Sequence, residues 1–328
     1  MRAIRALSPG GPEVLSFDEL PEPEPGPGQV VVDLVAAGVN FIDTYRRAGR
    51  YPMPFPHVVG SEGSGTVRAV GSGVSEVAVG DLVAWCDGSQ GSYAERVVVD
   101  AARSVPVPDG VTAQTAAALM LQGITAHYLA VSTVPVQEGQ TVLVHAGAGG
   151  VGLLLTQLAV ARGGRVLTTV STEEKAALSR AAGASDVLRY DQLDDLTSEL
   201  PAWVAERTEA AGVVTVFDGV GAATFDASLA SLRPRGTLVL FGGSSGAVPA
   251  FDPMRLEHAG SLFLTRPSIR HHVTTREELR GRADELFALV AAGRLDVRVG
   301  ARFPLADAAE AHRALEARLT TGKVLLEP

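Results

Sequence analysis

The chain has 328 residues, a formal net charge of −9 and a composition that is 46% hydrophobic and 20% charged. This length suffices for two ordinary domains, each with its own core. The acidic balance excludes a general binder of nucleic-acid backbones, which needs a basic face. No apolar run approaches the roughly 20 residues of a membrane span, and the single cysteine, Cys86, excludes an intrachain disulfide. With no signal-peptide core near the start, we expect a cytoplasmic protein that has no nucleic-acid or membrane partner.

The first block of the chain, residues 1–123, contains short β-branched runs separated by Gly and Pro turns. Runs of this kind at turn spacing are typical of an all-β, barrel-like domain. The runs are QVVVDLVAAGVN, GSGTVRAVGSGV, GDLVAW and GSYAERVVVD.

The second block, residues 124–265, alternates strand-like runs with helix-length stretches. Between the first two strands, VGLLLTQLAVAR repeats apolar residues at helical spacing, which predicts a helix with one buried face. The alternation as a whole predicts a parallel, doubly wound sheet. The predicted strands are TVLVHAG (141–147), RVLTTV (165–170), DVLRY (186–190), VVTVFDG (213–219), GTLVLFG (236–242) and SLFLT (261–265).

The last block, residues 266–328, returns to mixed structure. Thr274–Glu277 and Thr275–Glu278 both have capping-box spacing ahead of a predicted helix. The final stretch predicts a second helix that ends near Gly322 and a short strand after it. The block is too short to be a separate domain. We therefore expect residues 1–123 and 266–328 to form one domain and residues 124–265 the other.

A glycine-rich turn, HAGAGGVG, follows the first strand of the second block. Gly147, Gly149 and Gly152 have the GxGxxG spacing, directly after a strand and directly before an amphipathic helix. In this context the glycines allow a tight turn and a close approach of the backbone to a pyrophosphate, which the helix N-terminus attracts. The turn predicts a dinucleotide-binding site.

The residues after the second strand predict which dinucleotide binds there. An NAD site usually has Asp or Glu at this place, about 20 residues after the glycines. This chain has Ser171 and Thr172 there and Lys175 shortly after. A hydroxyl and a cation suit a 2′-phosphate, which an acidic side chain would repel. The sequence therefore favours NADPH. Glu173 and Glu174, which lie between Thr172 and Lys175, count against this prediction if either side chain turns inward.

Three further segments indicate the family: AAGVNFIDTYRRAGRYP (36–52), GSEGSGTVRAVGSGV (60–74) and LQGITAHYL (121–129). With them, the chain resembles the zinc-independent quinone oxidoreductases, the zeta-crystallin-like branch of the medium-chain dehydrogenase/reductase superfamily, over essentially its whole length. The resemblance implies an α/β protein in which a GroES-like β-barrel catalytic domain carries an inserted Rossmann domain. It also implies a homodimer, in which the edge strand SLFLT can pair across a two-fold axis.

The resemblance also implies that no metal is used. The zinc branch of the superfamily has Cys where this chain has Asn40, and a GHE motif where this chain has Gly60-Ser61-Glu62. No cysteine pair or histidine pair has metal-ligand spacing. Without a Lewis acid the enzyme needs an acceptor that delocalises negative charge, such as a quinone or another conjugated carbonyl compound.

The resemblance carries over site residues, which we state as expectations. Asn40 would lie near the nicotinamide, and Tyr45, Tyr51, Gln122 and Thr125 would be the other catalytic candidates in an interdomain cleft. Gln122 stands where some relatives carry Lys. The cofactor would contact Asn40, Phe41, Tyr45 and Thr125; its pyrophosphate Gly149, Gly150, Val151 and Gly152; its 2′-phosphate end Ser171, Lys175, Tyr190 and Arg318; and its nicotinamide side Phe241, Gly242, Ser244, Phe263 and Thr265.

The sequence leaves three functions open. The leading one is an NADPH:quinone oxidoreductase that transfers hydride or electrons to a quinone. The second is an NADPH-dependent reductase of α,β-unsaturated aldehydes or ketones. The third is an NADPH-binding redox sensor or structural protein with little turnover, because a fold alone does not fix a function.

Overall fold

The computed structural model of the protein describes residues 1–86 and 91–328. The chain divides into two compact units, the first formed by Met1–Ile124 and His272–Pro328 and the second by Thr125–His271. The second unit is therefore an insertion in the first. Among the helices of the described residues, none is both long enough and apolar enough to cross a membrane.

The chain up to residue 128 is mostly β-structure, as the β-branched runs predicted. It ends in a long helix that crosses the boundary between the two units. In chain order the elements are β1 (Arg2–Ala6), β2 (Leu15–Glu19), β3 (Gln29–Val39), α1 (Phe41–Arg47), β4 (His57–Val58), β5 (Glu62–Val70), β6 (Leu82–Cys86), β7 (Arg96–Asp100), β8 (Ser104–Pro106) and α2 (Ala113–Tyr128).

The chain from residue 141 to 265 alternates strands and helices. The predicted strand 261–265 begins only at Phe263, because Gly260 and Ser261 have positive φ values, 107° and 57°, that interrupt extended backbone. The elements are β9 (Thr141–Val144), α3 (Gly150–Ala161), β10 (Arg165–Val170), α4 (Glu173–Ala181), β11 (Asp186–Arg189), α5 (Leu196–Arg207), β12 (Val213–Asp218), α6 (Phe225–Ala230), β13 (Leu232–Leu240), α7 (Met254–His258) and β14 (Phe263–Thr265).

The last stretch contains α8 (Arg276–Ala291), β15 (Val299–Pro304), α9 (Ala308–Glu316) and β16 (Lys323–Glu327). Of the two capping-box spacings, Thr275 is the cap of α8, because its hydroxyl accepts from the amide of Glu278 at 3.2 Å. The predicted end of the final helix near Gly322 is wrong. The helix ends at Glu316, and Arg318 lies beyond it with a positive φ of 58°.

The first unit is built on two sheets. A three-stranded sheet has the order β2-β1-β4, and a seven-stranded sheet has the order β15-β16-β3-β5-β6-β8, with β7 pairing to β3. Strand β3 pairs with β7 over residues 29–33 and with β16 over residues 37–39, so these two strands pair with successive parts of β3. A buried core that includes Val32, Trp85 and Tyr93 fills the space between these sheets. The barrel-like architecture is confirmed.

The second unit contains a parallel sheet of six strands in the order β11-β10-β9-β12-β13-β14. Counted along the chain this is the order 3-2-1-4-5-6 of a Rossmann fold, as predicted. Leu143, Leu167, Val216 and Leu238 are all buried in its core, as expected for strands covered on both faces. Ligands of such sheets bind at the carboxyl ends of the strands, where the strand order reverses between β9 and β12.

Candidate functional site

The glycine turn connects β9 to α3 at that point of reversal. Ala146 has a φ of 53°, and its carbonyl oxygen accepts from the amide of Gly149 at 2.8 Å. A Cβ at Gly152 would lie 2.3 Å from this same oxygen. Only glycine at position 152 therefore allows the first turn of α3 to approach the loop this closely. Gly150, Val151 and Gly152 open the helix, and their amides are available to an anion. The turn fits a pyrophosphate.

Two of the four predicted 2′-phosphate residues, Ser171 and Lys175, are in contact in the structure. Nζ of Lys175 lies 3.2 Å from Oγ of Ser171, and Thr172 caps α4 by accepting from the amide of Lys175. Glu173 pairs with Arg180 and Arg189. The hydroxyl and the ammonium therefore sit together where β10 ends, as the donors that a phosphate requires.

The other two residues predicted at the 2′-phosphate end, Tyr190 and Arg318, lie in different units of the protein. Tyr190 directly follows β11, the strand that pairs with β10, so it shares the sheet edge with Ser171. Arg318 is an exposed residue of the first unit, in the turn after α9. Our expectation that the final helix carries Arg318 is wrong, because its positive φ is incompatible with helical backbone.

Three of the five predicted nicotinamide-side residues, Phe241, Gly242 and Ser244, lie in the loop after β13, and the other two lie on β14. The loop after β13 is tied to the loop after β12 because the amide of Phe241 donates to the carbonyl of Asp218 at 2.9 Å, and the amide of Ser244 to that of Gly219 at 3.3 Å. Gly242 lies between them, and Thr265 ends β14 beside β13. Phe263, by contrast, is 60% exposed at the start of β14, away from this loop.

In the first unit, three predicted aromatic residues form a row on and after α1. The ring centroids of Phe41 and Tyr45 are 6.1 Å apart, and those of Tyr45 and Tyr51 are 6.2 Å apart. The guanidinium of Arg50 lies 5.3 Å from the centroid of the Tyr45 ring. Tyr51 is 43% exposed. The row offers flat apolar surface and phenol hydroxyls, which suit a conjugated ring compound.

Asn40 is the centre of a buried polar cluster in the same unit. Its Oδ1 accepts from Nζ of Lys323 at 2.8 Å and from Nε2 of Gln122 at 3.2 Å. Its Nδ2 donates to Oε1 of Glu62 at 2.6 Å and to the carbonyl of Gly38 at 3.3 Å. Because an ammonium only donates and a carboxylate only accepts, these partners fix the orientation of the amide. All the hydrogen-bonding groups of the Asn40 side chain are used within the protein.

Glu62 and Lys323 are the residues that sequence reasoning missed. They form an ion pair with side chains only 0% and 1% exposed, and the second carboxylate oxygen of Glu62 accepts from the amide of Leu121 in α2 at 2.6 Å. The signal for Lys323 was the rarity of lysine, because only Lys175 and Lys323 occur in the chain.

Gln122 and Thr125 lie three residues apart on α2, so they share one side of that helix. Besides its bond to Asn40, the Gln122 side chain has a buried Oε1 that accepts from no residue in the described part of the chain. Thr125 is 8% exposed. A buried acceptor without a donor is costly, so Gln122 marks a place where a donor from a bound molecule would be stabilising.

The donor set around Asn40 does not fit zinc. Lys323 places an ammonium against Glu62 and Asn40, and a cationic neighbour opposes the binding of a metal ion. Within residues 1–86 and 91–328, no group of three or more His, Cys, Asp or Glu side chains is arranged to hold a metal. The positive charge in this buried polar cluster comes from Lys323.

A second buried network lies behind α1. Both Oδ2 of Asp43 and Nε2 of His312 lie within hydrogen-bond distance of the Tyr93 hydroxyl, at 3.3 and 3.2 Å, and Ser61 donates to Asp43. Burial raises the pKa of Asp43 to about 6, against the opposing hydrogen bond from Ser61. Burial, reinforced by the charge of Arg47, lowers the pKa of His312 to about 3. His312 is therefore neutral at pH 7.

Comparisons with known proteins agree with this arrangement. Residues 26–109 match the alcohol dehydrogenase GroES-like domain family, and residues 150–291 match the zinc-binding dehydrogenase family. The chain is 43% identical to a quinone oxidoreductase of Pseudomonas aeruginosa, over 100% of this chain and 99% of that one. It is 39% identical to a 2-haloacrylate reductase of a Burkholderia species, over 97% of this chain and 96% of that one.

Among solved structures, a mycobacterial protein complexed with NADPH superposes with a TM-score of 0.97 at 53% identity, each chain being covered fully. Identity and coverage at this level, on the fold and the glycine turn described above, establish the family. The chain belongs to the zeta-crystallin-like quinone oxidoreductase branch of the medium-chain dehydrogenase/reductase superfamily.

Proposed function

We propose that this protein is an NADPH-dependent quinone reductase. The observation that carries the proposal is the contact between Lys175 and Ser171 at the end of β10, 3.2 Å from Nζ to Oγ, in a chain 43% identical to a quinone oxidoreductase. A cation and a hydroxyl at this place select a 2′-phosphate over a free ribose hydroxyl.

The second unit supplies the cofactor site. The amides at the start of α3 bind the pyrophosphate, and Gly152 permits its close approach. Ser171 and Lys175 bind the 2′-phosphate, with Tyr190 at the same sheet edge. The loop that carries Phe241, Gly242 and Ser244 supports the nicotinamide side, with Thr265 close by and the exposed Phe263 further away. NADPH, when bound, supplies the hydride.

The first unit supplies the acceptor site. Phe41, Tyr45 and Tyr51 provide the surface on which a quinone ring packs, and the Tyr51 hydroxyl, on a side chain that is 43% exposed, donates to a quinone oxygen as negative charge develops there. Asn40 has its hydrogen bonds filled by Lys323, Glu62 and Gln122, so it shapes and rigidifies this site. The buried Oε1 of Gln122 accepts from a bound donor.

A quinone suits these residues better than a simple ketone does. Its two conjugated carbonyl groups delocalise the charge left by hydride addition, so hydrogen-bond donors suffice where an unactivated ketone would need a Lewis acid. The relationship to a 2-haloacrylate reductase keeps conjugated carboxylic or carbonyl compounds as the second candidate class.

The test follows the near-ultraviolet absorbance of reduced nicotinamide in chelator-treated protein. NADPH and NADH are compared against matched sets of quinones and enones. Oxidation that is fast with NADPH and quinones supports the proposal. Activity with enones only would transfer the assignment to the second class, and tight NADPH binding without turnover on any acceptor would indicate a sensor or structural protein.

We also propose a homodimer and a reducing, cytoplasmic setting. Strand β14 ends the six-stranded sheet as far as the structure describes it, and Phe263 on this strand is 60% exposed; a second copy of β14 would cover both. The single cysteine, Cys86, is a buried thiol, as suits a reducing compartment. Light scattering of Phe263→Glu tests the dimer: the variant should be monomeric, and an unchanged mass would place the interface elsewhere.

A further inference from the structure

A chain of buried side chains runs beneath the dinucleotide turn and has no part in the proposal above. His145, the residue after β9, is 1% exposed. Its Nδ1 lies 2.9 Å from Oγ1 of Thr169 on β10, and its Nε2 lies 3.0 Å from Oγ of Ser228 on α6. One imidazole therefore joins a strand on one side of β9 to a helix on the other.

Asp218, the last residue of β12 and fully buried, is the end of this chain. Its Oδ2 accepts from Oγ of Ser228 at 2.8 Å and from Oγ1 of Thr224 at 2.7 Å. Its Oδ1 accepts from the amides of Val220 at 2.7 Å and Gly221 at 3.0 Å. Both carboxylate oxygens are thus occupied by donors from the loop and helix after β12.

The direction of every hydrogen bond follows from Asp218. A carboxylate only accepts, so the single proton of the Ser228 hydroxyl points to it, and Ser228 must accept from Nε2–H of His145. Burial lowers the pKa of His145, so the imidazole is neutral and its Nδ1 accepts from the Thr169 hydroxyl. We call these four residues, Thr169, His145, Ser228 and Asp218, the His145 network. Each hydroxyl or imidazole in it donates towards Asp218, and His145 carries its proton on Nε2.

The His145 network joins the loops to which the proposed cofactor site belongs. Strands β10, β9 and β12 are neighbours in the sheet, and the network connects their carboxyl ends. The amide of Gly147 in the glycine turn donates to the carbonyl of Thr169 at 3.0 Å, and the carbonyl of Asp218 accepts from the amide of Phe241 at 2.9 Å. The glycine turn and the nicotinamide-side loop are therefore each bonded through the main chain to a residue of the network. Thr169 also lies only two residues before Ser171, at the end of the same strand.

We propose that Asp218, Ser228 and His145 are positioning residues for NADPH. Their side-chain hydrogen bonds, whose direction Asp218 sets, hold the ends of β9, β10 and β12 together and so keep the three cofactor loops in binding geometry. The inference rests on the proposed function for the identity of the cofactor. It assigns Asp218 no contact with the reacting atoms. The network orders the three loops before NADPH binds, so binding loses less conformational entropy than it would with mobile loops.

The variant Asp218→Asn tests the polarity while keeping the shape. The amide oxygen of the new side chain must take the place of Oδ1, because two backbone amides point there. The NH₂ group then faces the hydroxyls of Thr224 and Ser228 and donates to Ser228. The Ser228 proton turns to Nε2 of His145, so the imidazole proton must move to Nδ1.

The first readout is the tautomer of His145 from the ¹⁵N shifts of its ring nitrogens, with His145→Gln used to assign the signal. We expect the proton of the His145 ring to lie on Nε2 in the unsubstituted protein and on Nδ1 in D218N. In Thr169→Val it should lie on Nε2, because this variant removes the donor to Nδ1 and leaves Ser228 in place. Asp226→Asn, on the exposed face of α6, is the matched charge control and should keep Nε2–H. Retention of Nε2–H in D218N would overturn the assignment of polarity.

The second readout is the dissociation constant of NADPH, measured by the fluorescence of the bound cofactor. Ser228→Ala removes the hydrogen-bond partner of Nε2 of His145 and one of the donors to Oδ2 of Asp218. We therefore expect NADPH binding to weaken about tenfold, with D226N unchanged. A role in packing alone would lower the Tm of S228A and leave the dissociation constant of the folded protein as it was. That outcome would overturn the positioning role.

The two readouts separate this inference from the proposed function. If the unsubstituted protein binds NADPH and S228A weakens it, the positioning role holds even if no quinone is reduced. If the unsubstituted protein binds no NADPH, the cofactor assignment and the positioning role both fail, whereas the tautomer measurement still decides the polarity of the network.

Discussion

Nζ of Lys323 donates to Oδ1 of Asn40 over 2.8 Å, although 283 residues separate the two in the chain. The same ammonium is paired with Glu62, and both charged side chains are removed from water. Removing one charge of such a pair leaves the other buried and unpaired, which is far more destabilising than removing both.

Lys323→Met should therefore lower the free energy of unfolding by about 3–5 kcal/mol. The double variant with Glu62→Gln should be more stable than the sum of the single effects predicts, because neither group is then left charged. Urea unfolding of the four proteins measures this coupling. Arg302→Met is the control in the same sheet, because Arg302 pairs with Glu327 on partly exposed side chains and should cost at most about 1 kcal/mol. Strictly additive effects of the two buried substitutions would contradict the prediction.

Lys175→Ala should raise the KM for NADPH about tenfold to a hundredfold more than it raises the KM for NADH, because a charged hydrogen bond to the 2′-phosphate is lost. Steady-state kinetics with each cofactor at a saturating quinone concentration measures the difference. Arg180→Ala is the control, because Arg180 is a cation on the same helix that pairs with Glu173. This variant should not change the preference for NADPH over NADH. Equal changes for both cofactors would show that Lys175 does not bind the 2′-phosphate.

Asp43 and His312 should give opposite pH dependences of stability. The pKa of Asp43 is raised to about 6 in the folded protein, so its contribution is greatest below pH 4 and falls by about 3 kcal/mol as the pH rises to 6. The pKa of His312 is lowered to about 3. The unfolded chain therefore takes up a proton below about pH 6.5 that the folded protein does not, and stability rises with pH across this range.

Urea unfolding between pH 4 and pH 7 separates the two contributions. With Asp43→Asn only the histidine contribution remains, so stability should rise with pH more steeply than in the unsubstituted protein. With His312→Gln it should rise less steeply or fall. If D43N has the pH slope of the unsubstituted protein, Asp43 is ionised when buried and the assigned pKa is wrong.

Gly152→Ala and Gly281→Ala should have opposite effects. The added Cβ at residue 152 would lie 2.3 Å from the carbonyl oxygen of Ala146, so the glycine turn must open and NADPH binding should be lost. At residue 281, inside α8, a Cβ meets nothing within 4 Å, and alanine should raise stability by about 0.5–1 kcal/mol because it is the better helix former. Fluorescence titration and urea unfolding measure the two effects; NADPH binding by G152A at the original affinity would refute the close approach.

Local patterns predicted the second unit well. Strand β10 has the predicted limits, and α3 begins in the glycine turn as predicted. Both predictions succeeded because the patterns of a strand and of a helix depend only on residues that are close together in the sequence. The contact between Ser171 and Lys175 could also be predicted, because the two residues are only four positions apart in the sequence. The end of α9 was not predictable in this way: no glycine or proline follows Glu316 directly, and Arg318 adopts a positive φ that its residue type does not favour.

The polar networks could not be predicted, because each joins distant parts of the chain. Lys323 reaches Asn40 only after β16 pairs with β3, and His145 reaches Ser228 only when α6 packs on the sheet. Asn40 itself was expected beside the nicotinamide from the family resemblance. Its saturated hydrogen bonds became visible only with the partners in place, and they suggest that it supports the site rather than donating to a substrate.

The position of β16 between β15 and β3 has a consequence for biosynthesis. Residues 125–271 are contiguous, so the second unit has all its strands once the ribosome has passed them. The seven-stranded sheet, in contrast, stays open until residues 323–327 emerge and carry Lys323 to Glu62. We expect the inserted unit to fold first and the surrounding unit to wait for the final strand. A chain stopped after residue 322 should yield a protease-resistant fragment that covers residues 125–271, and a first unit that is digested.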